Sequence, residues 1–420
     1  MIRKEKFNMF LQYLLAFLII LESRSVFSRF YEGTSEKIII LLLIFTLILI
    51  FLLNFNFKLK KRYLLFLVFY LVYAFLFLLI NVNSSKINFI VTFLLLFPLS
   101  FLIYCVYGKG QIEDLFKSYV NIMMVISCVS LFFFIFGSLT NMISTNVTKI
   151  IDWGGAHIIN GYSYLHFNSQ TTVIFGKTIL RNTSIFVEGP MFALHLMFAM
   201  SLSLFFKDKM LNKYSIVFGL TILSTLSVTG FLIYLFLLFY KYTFYNKSKS
   251  KIILLPIVFI VFTIIGTVFL GDKQTTNSYN IRYDDYIAGF LAFEKYPIFG
   301  SGFLNNNIVI KYMSNYRLYN TGLSNSFIIV LVQGGLYLIL FYLIPIFLNC
   351  KKLIFSRDKN LFLIENMILQ IYLIFTSTYQ YTSLMIIFLA FDYYILLSYN
   401  KSKETRMIFS KEDKIWNMII

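Results

Sequence analysis

The chain has 420 residues, of which 59% are hydrophobic, 20% aromatic and only 13% charged. That composition excludes a soluble domain of this size, because apolar runs of about 20 residues recur along the whole length and mark a polytopic helical membrane protein. The net charge of +18 does not point to nucleic acid, since the lysines cluster in short loops between apolar runs and no zinc finger, RNA-binding motif or basic helix accompanies them.

The apolar runs cover residues 7–21, 38–57, 63–80, 88–107, 118–138, 184–206, 214–227, 228–240, 252–270, 323–349, 361–379 and 382–398. The expected fold is all-α: one membrane domain over residues 1–420 with about twelve transmembrane helices. The opening Met-Ile-Arg-Lys-Glu-Lys has the outline of a signal peptide. Glu22, Ser23 and Arg24 stand where small cleavage-site residues would, which favours a retained first helix. The short runs 214–227 and 228–240 read either as a hairpin broken near Ser227–Gly230 or as one kinked segment.

Lys and Arg in the loops set the orientation. With the N-terminus in the cytoplasm, most of the 37 basic residues fall on the inside, among them Lys58–Arg62, Lys207–Lys213, Lys241–Lys251 and the tail from Lys401. A single span in place of the hairpin would break this alternation. The expectation is therefore a protein of the cytoplasmic membrane with both termini cytoplasmic. Cys105, Cys128 and Cys350, and His157, His166 and His195, have no ligand spacing, so neither a disulfide framework nor a metal site is expected.

Two loops, 139–183 and 271–322, are far longer than the rest and both fall outside. They carry Trp153, tyrosines and glycines and are expected to fold over the membrane surface. Asn305-Asn306-Asn307 and Tyr316–Tyr319 mix amides with aromatics. That suits either sugar recognition or a polar loop with an interfacial aromatic belt.

Between the first long loop and the next apolar run lies Arg181-Asn-Thr-Ser-Ile-Phe-Val-Glu188-Gly189-Pro190-Met-Phe-Ala193. Proline is tolerated in the first turn of a helix, so this is the mouth of a membrane helix with a cation beside it and a carboxylate inside it. Such a mouth offers free N–H groups and a partial positive charge, which suit phosphate. Glu188 and Arg181 read either as a site or as a helix-start acid and an interfacial anchor.

The second loop opens Asn280-Ile-Arg282-Tyr-Asp284-Asp285-Tyr286. It continues through an amphipathic stretch, expected as a surface helix, into Pro297-x-x-Gly300-x-Gly302, expected as a turn. Arg282 adds a second outer arginine and Arg317 a third, and arginine holds phosphate oxygens bidentately. Ser324-Asn325-Ser326 precedes a helix bearing Gly334-Gly335 and either caps it or binds a ligand. Ser224, Thr225, Ser227, Thr229 and Gly230 are small and polar, as close helix packing requires.

Four pieces then stand in order: Arg181…Phe186-Val187-Glu188-Gly189-Pro190-x-Phe192-Ala193; Leu223-Ser224-x-x-Ser227-x-x-Gly230; Arg282…Pro297-x-x-Gly300-x-Gly302; and Ser324-Asn325-Ser326…Gly334-Gly335. Over roughly 181–340 they resemble the O-antigen ligase/polymerase superfamily of membrane glycosyltransferases, with the nearest likeness to Wzy-type polymerases of capsule and O-antigen repeat units. The resemblance implies en bloc transfer of an oligosaccharide from undecaprenyl pyrophosphate onto another lipid-linked repeat unit at the extracytoplasmic face. It implies no nucleotide sugar, cofactor or metal, and a flippase and a chain-length regulator as partners. It places Arg181 and Arg282 on the donor pyrophosphate and Glu188 as the base. Asp284 or Asp285 is the reserve base, and Asn325 and Arg317 contact sugar or phosphate. The ligase branch carries a histidine where this chain reads Ser324-Asn325-Ser326, which favours the polymerase branch. The competing classes are a flippase for the same lipid-linked unit and an O-antigen ligase. A flippase fits the helix number but not the two long outer loops or the lack of two similar halves.

Overall fold

The structure is a computed structural model that describes residues 2–30, 34–56, 59–152, 156–174, 177–206, 212–245, 277–317, 321–355 and 361–398. The run at 252–270, Trp153, Tyr319 and the tail from Lys401 lie outside the described residues. The elements in chain order are helices α1 (Ile2–Glu22), α2 (Thr34–Asn54), α3 (Lys61–Ile80), α4 (Lys86–Val106) and α5 (Lys109–Phe133). Five short strands follow: β1 (Val147–Asp152), β2 (Ala156–Tyr162), β3 (His166–Asn168), β4 (Thr171–Ile174) and β5 (Lys177–Leu180). Then come α6 (Gly189–Phe206), α7 (Lys213–Ser224), α8 (Val228–Tyr240), α9 (Asn277–Lys295), the single turn α10 (Asn307–Ile310), α11 (Ser326–Phe355), α12 (Leu361–Thr376) and α13 (Ser383–Ser398).

Among the described residues, six helices are long and apolar enough to cross a membrane: α2, α3, α4, α5 with its π-helical extension to Leu139, α6, and α11 as far as Lys351. Their burial sorts them. Helix α6 is buried all round, from Met191 through Leu204, as expected of a helix with no polar face at the centre of a bundle. Helices α2 and α3 stand at the edge and leave Leu41, Phe45, Leu52, Phe69, Phe75 and Leu79 open, Phe69 to 72%. Apolar faces of that extent are untenable in water and natural against lipid. The chain is a helical membrane protein.

The helix ends sort into two sets. At one end, Asn8, Asn54, Tyr107 and Gln111 interlock: Asn54 Nδ2 donates to Asn8 Oδ1 (2.8 Å), Gln111 Nε2 to Asn54 Oδ1 (2.9 Å) and Tyr107 Oη to Asn8 Oδ1 (3.3 Å). The other end gathers the loops after α1, α3, α7 and α12 with the two long loops. Val26 N donates to Ile185 O (2.8 Å), Asn182 N to Ser224 O (3.0 Å), Ser85 N to Phe303 O (2.9 Å) and Ser326 N to Ser377 O (2.8 Å). Helices α7 and α8 are two short helices that turn at Thr225–Ser227, with Ser227 Oγ capping α8 through Gly230 N. The hairpin reading of the two short runs holds.

The first long loop departs from an all-helical expectation. Strands β1–β2–β3 form an antiparallel meander in the register Ile150↔Ile158 and Gly161↔Phe167, and β4–β5 form a separate hairpin. Alternate residues turn inward, so that Ile151, Ile159 and Phe167 close a small core with Val26 and Val187. This period of two is short and interrupted, and it was masked in the sequence by the surrounding apolar bias.

The second long loop does contain the expected surface helix, α9. The turn after it docks into a break in α11. At Gly335 the backbone leaves the helix (φ 59°, ψ −159°). The groups freed there are taken by the turn: Ser301 N donates to Val332 O (2.8 Å), Gly302 N to Gln333 O (3.1 Å), and Leu336 N and Tyr337 N donate to Pro297 O and Ile298 O (2.9 Å each). Non-helical backbone inside a membrane protein survives only when protein satisfies it this way. A Cβ at Gly300 (φ +69°) would stand 2.5 Å from the Gln333 backbone. Pro297-x-x-Gly300-x-Gly302 and Gly334-Gly335 are thus the two halves of one joint.

Candidate active site at the mouth of helix α6

Residues 181–188 are bolted in place before they reach α6. Asn182 Nδ2 donates to Ser224 Oγ (2.9 Å), Ser130 Oγ to Asn182 Oδ1 (2.5 Å), and Thr183 Oγ1 to Phe167 O (2.6 Å). Asn182, Thr183 and Ser184 are fully buried. The Asn-Thr-Ser run therefore ties the segment to α5, to the end of α7 and to the sheet. Glu188 caps α6 with its carbonyl, which accepts from Met191 N and Phe192 N (3.2 Å each), and Pro190 lies in the first turn as expected.

Arg181 lies across the C-terminal end of α7. Its Nε donates to Thr225 O (2.8 Å) and its Nη2 to Leu226 O (3.4 Å), the negative end of that helix dipole. Gly189 makes this possible: a Cβ there would stand 2.9 Å from both Arg181 Nε and Thr225 O. Burial pulls the Arg181 guanidinium below its ordinary pKa, and the charge of Glu188 acts in the opposite direction.

A second guanidinium comes from the loop between α1 and α2. Arg24 sits just past α1 with a left-handed backbone (φ 57°). Its carbonyl accepts from Val187 N (3.2 Å) and its Nη1 donates to Thr378 Oγ1 (2.6 Å) in the turn between α12 and α13. Burial lowers its pKa to about 10, again against the pull of Glu188, so it stays cationic at neutral pH. Glu188 thus stands within electrostatic reach of both Arg24 and Arg181. It also lines a cleft of about 90 Å³ with Ile151, His157, Ser169, Gln170 and Val187. Gln170 Oε1 accepts from Gly189 N (3.0 Å), occupying an N–H of the helix mouth that an anion could otherwise use.

The other expected site residues are placed differently. Arg282 is exposed on α9 and, among the described residues, forms no ion pair. It lies within electrostatic range of Tyr372, which is within hydrogen-bond reach of Thr229 at the start of α8. Through Tyr372 it lies on the side of the bundle that carries the start of α8.

Arg317, Asp284 and Asp285, expected as substrate contacts and reserve base, form a buried cluster. Arg317 Nη1 is 2.8 Å from Asp285 Oδ1 and 3.3 Å from Asp284 Oδ2, and it donates to Ile281 O (3.0 Å); Nη2 donates to Gly322 O (2.9 Å). Asp284 also accepts from Ser314 N and Oγ, and Asp285 from Ser324 N. These charges are engaged with one another and hold the long loop closed. Asn325 Oδ1 caps α11 through Ile328 N (2.9 Å). Its Nδ2, and the neighbouring Ser324 Oγ, are buried with no hydrogen-bond partner among the described residues.

Sequence reasoning passed over Arg24, Thr378 and Gln170. The signal for Arg24 was present: an arginine at the end of the first apolar run, in a short loop that orientation places outside, where basic residues are scarce. It passed over two buried acids as well. Glu365 on α12 lies near Ser201 and Lys241, and Asp392 on α13 lies beside Gln370, both fully buried. Comparison with protein-family models, curated proteins and solved structures returns no match.

Proposed function

We propose that this chain is an oligosaccharide repeat-unit polymerase, transferring a glycan from a polyprenyl pyrophosphate onto another lipid-linked repeat unit for a capsular or O-antigen polysaccharide. The observation that carries the reading is the pair of guanidiniums, Arg24 and Arg181, around the Glu188 carboxylate at the mouth of α6. In this reading the chain spans the cytoplasmic membrane about twelve times with both termini inside, and the mouth of α6 opens outward.

The chemistry follows from charge. The acceptor hydroxyl oxygen bonds to the anomeric carbon of the donor as the bond from that carbon to the pyrophosphate oxygen breaks. The pyrophosphate leaves with the bonding pair, and a carboxylate takes the hydroxyl proton. Fixed cations stabilise charge where it develops. The guanidiniums of Arg181 and Arg24 suit the pyrophosphate by charge and bidentate geometry, and Arg282 approaches the same region from α9. Glu188 is the base within reach of that charge. Gln170 would yield its place on Gly189 N to a phosphate oxygen.

The test is reconstitution. The purified full chain in lipid vesicles, supplied only with the host's own lipid-linked repeat units, should lengthen them without nucleotide sugar. A chain that leaves single units unchanged, under conditions where it binds them, contradicts the reading. A second reading, a flippase for the same unit, is favoured by Glu365 and Asp392, since acids buried among membrane helices often belong to transport pathways. Movement of labelled units across the vesicle membrane without lengthening would establish it.

A further inference from the structure

A second pocket, of about 540 Å³, lies at the same end of the bundle, between the α3–α4 loop and the turn that plugs the α11 break. It is lined by Asn83, Ser84 and Ser85 on one side and by 303–308 on the other. Its size falls within the usual range for small-molecule sites. None of its lining residues is charged. Four are asparagines and two are serines, a set that offers amide donors and acceptors to hydroxyl groups without favouring an anion or a cation.

The walls are fixed before any ligand arrives. Ser85 N donates to Phe303 O (2.9 Å) and Phe303 N to Ser84 Oγ (2.9 Å). Asn305 Nδ2 donates to Ser301 O (2.9 Å), and Ser301 Oγ donates back to Asn305 O (2.8 Å). Gln333, buried at the α11 break, holds the rim from below: its Nε2 donates to Asn306 Oδ1 (2.7 Å) and its Oε1 accepts from Leu304 N (3.3 Å). Leu304 is held in a left-handed backbone (φ 57°), strain of the kind that clusters at ligand sites. Against this fixed frame, the side-chain amides of Asn83 and Asn307 make no hydrogen bond among the described residues, and both residues are exposed.

The pocket also connects to the charged site. Phe303 packs on Tyr381 with ring centroids 4.5 Å apart. Tyr381 belongs to the same turn, 377–382, whose Thr378 receives Arg24. A glycan anchored by its pyrophosphate near Arg24 and Arg181 would thus have a second foothold on the same surface.

We infer that this pocket is a subsite for uncharged sugar residues, read by Asn83 and Asn307 with Phe303 in its wall. The inference rests on the polymerase reading only for the identity of the glycan; the recognition chemistry stands without it. The test uses the full chain in lipid nanodiscs, titrated with a panel of free neutral di- to tetrasaccharides and their uronic-acid-containing counterparts. These probes carry no pyrophosphate. At least one neutral member should bind saturably. The double variant Asn83→Ala/Asn307→Ala should weaken that binding at least tenfold, with thermal unfolding unchanged because neither side chain supports the frame. Arg181→Ala should leave it unchanged. Three results would overturn the inference: no neutral member binds, the acidic members bind better, or the double variant binds as well as the parent. If Arg181→Ala instead left cellular polymer normal while the pocket bound glycan, the polymerase reading would fail and the subsite would stand.

Discussion

Replacing Arg317 by alanine removes the cation that Asp284 and Asp285 share. The guanidinium is 2.8 Å from one carboxylate and 3.3 Å from the other, and all three residues are buried. Breaking a buried pair by deleting one partner costs roughly 3–5 kcal/mol, because an uncompensated charge is left inside. Here two carboxylates are stranded and the carbonyls of Ile281 and Gly322 lose their donor, so the cost should reach the upper part of that range. It falls on the loop from α9 to the start of α11 rather than on the whole bundle, so opening should be local. The assay is amide hydrogen exchange on the full chain in nanodiscs. Protection over 277–317 should fall by roughly three to four orders of magnitude, while α6 and α13 stay protected. Neutralising all three positions together, with Arg317→Met, Asp284→Asn and Asp285→Asn, should recover much of the loss. If Arg317→Ala kept full protection but lost polymer formation, Arg317 would be a substrate contact and the structural assignment would be refuted.

Three further predictions follow the same logic. Arg24→Ala and Glu188→Gln should each abolish or nearly abolish polymer formation with membrane levels of the protein unchanged, read by polymer length on gels beside an immunoblot; near-normal polymer from Glu188→Gln would move the base elsewhere. Gly300→Ala should destabilise the joint by about 2–4 kcal/mol through overpacking and left-handed backbone, seen as a lowered unfolding temperature, and an unchanged temperature would disprove the tight fit. His166, buried in β3 with its pKa lowered to about 4 by burial, binds its proton less readily folded than unfolded. Stability of the sheet should therefore hold above about pH 6.5 and fall as pH drops toward 4, by about 1.4 kcal/mol per unit. Exchange over 147–180 at pH 7 and pH 5 measures this, and His166→Phe should flatten the difference.

Much of this architecture can be read from the residues themselves. The runs at 38–57, 63–80 and 88–107 are long, apolar and bounded by charges, so α2, α3 and α4 follow directly. Asn182 and Phe303 lie in loops between the apolar runs and Ser377 at the end of one, where each bonds a neighbouring segment: Ser224, Ser85 and Ser326 in turn. Arg181, Glu188 and Gly189 are legible because proline and glycine mark a helix mouth. The β-meander was not legible, since its inward residues Ile151, Ile159 and Phe167 are too few for a period of two to emerge. Nor could spacing reveal that Arg317 belongs to Asp284 and Asp285, because the partners are some thirty residues apart in sequence and are joined only by the folding of the loop. Arg24 is harder still: its neighbours are Glu188, far along the chain, and Thr378, near its end.

The most direct test of the polymerase account is to delete the gene in its host and size the lipid-linked glycans on each membrane face. The account predicts single repeat units accumulating on the outer face, with long chains restored by the intact gene but not by Arg24→Ala or Arg181→Ala. Units trapped on the inner face, or full-length polymer left on its lipid carrier, would contradict it, the first in favour of a flippase and the second in favour of a ligase.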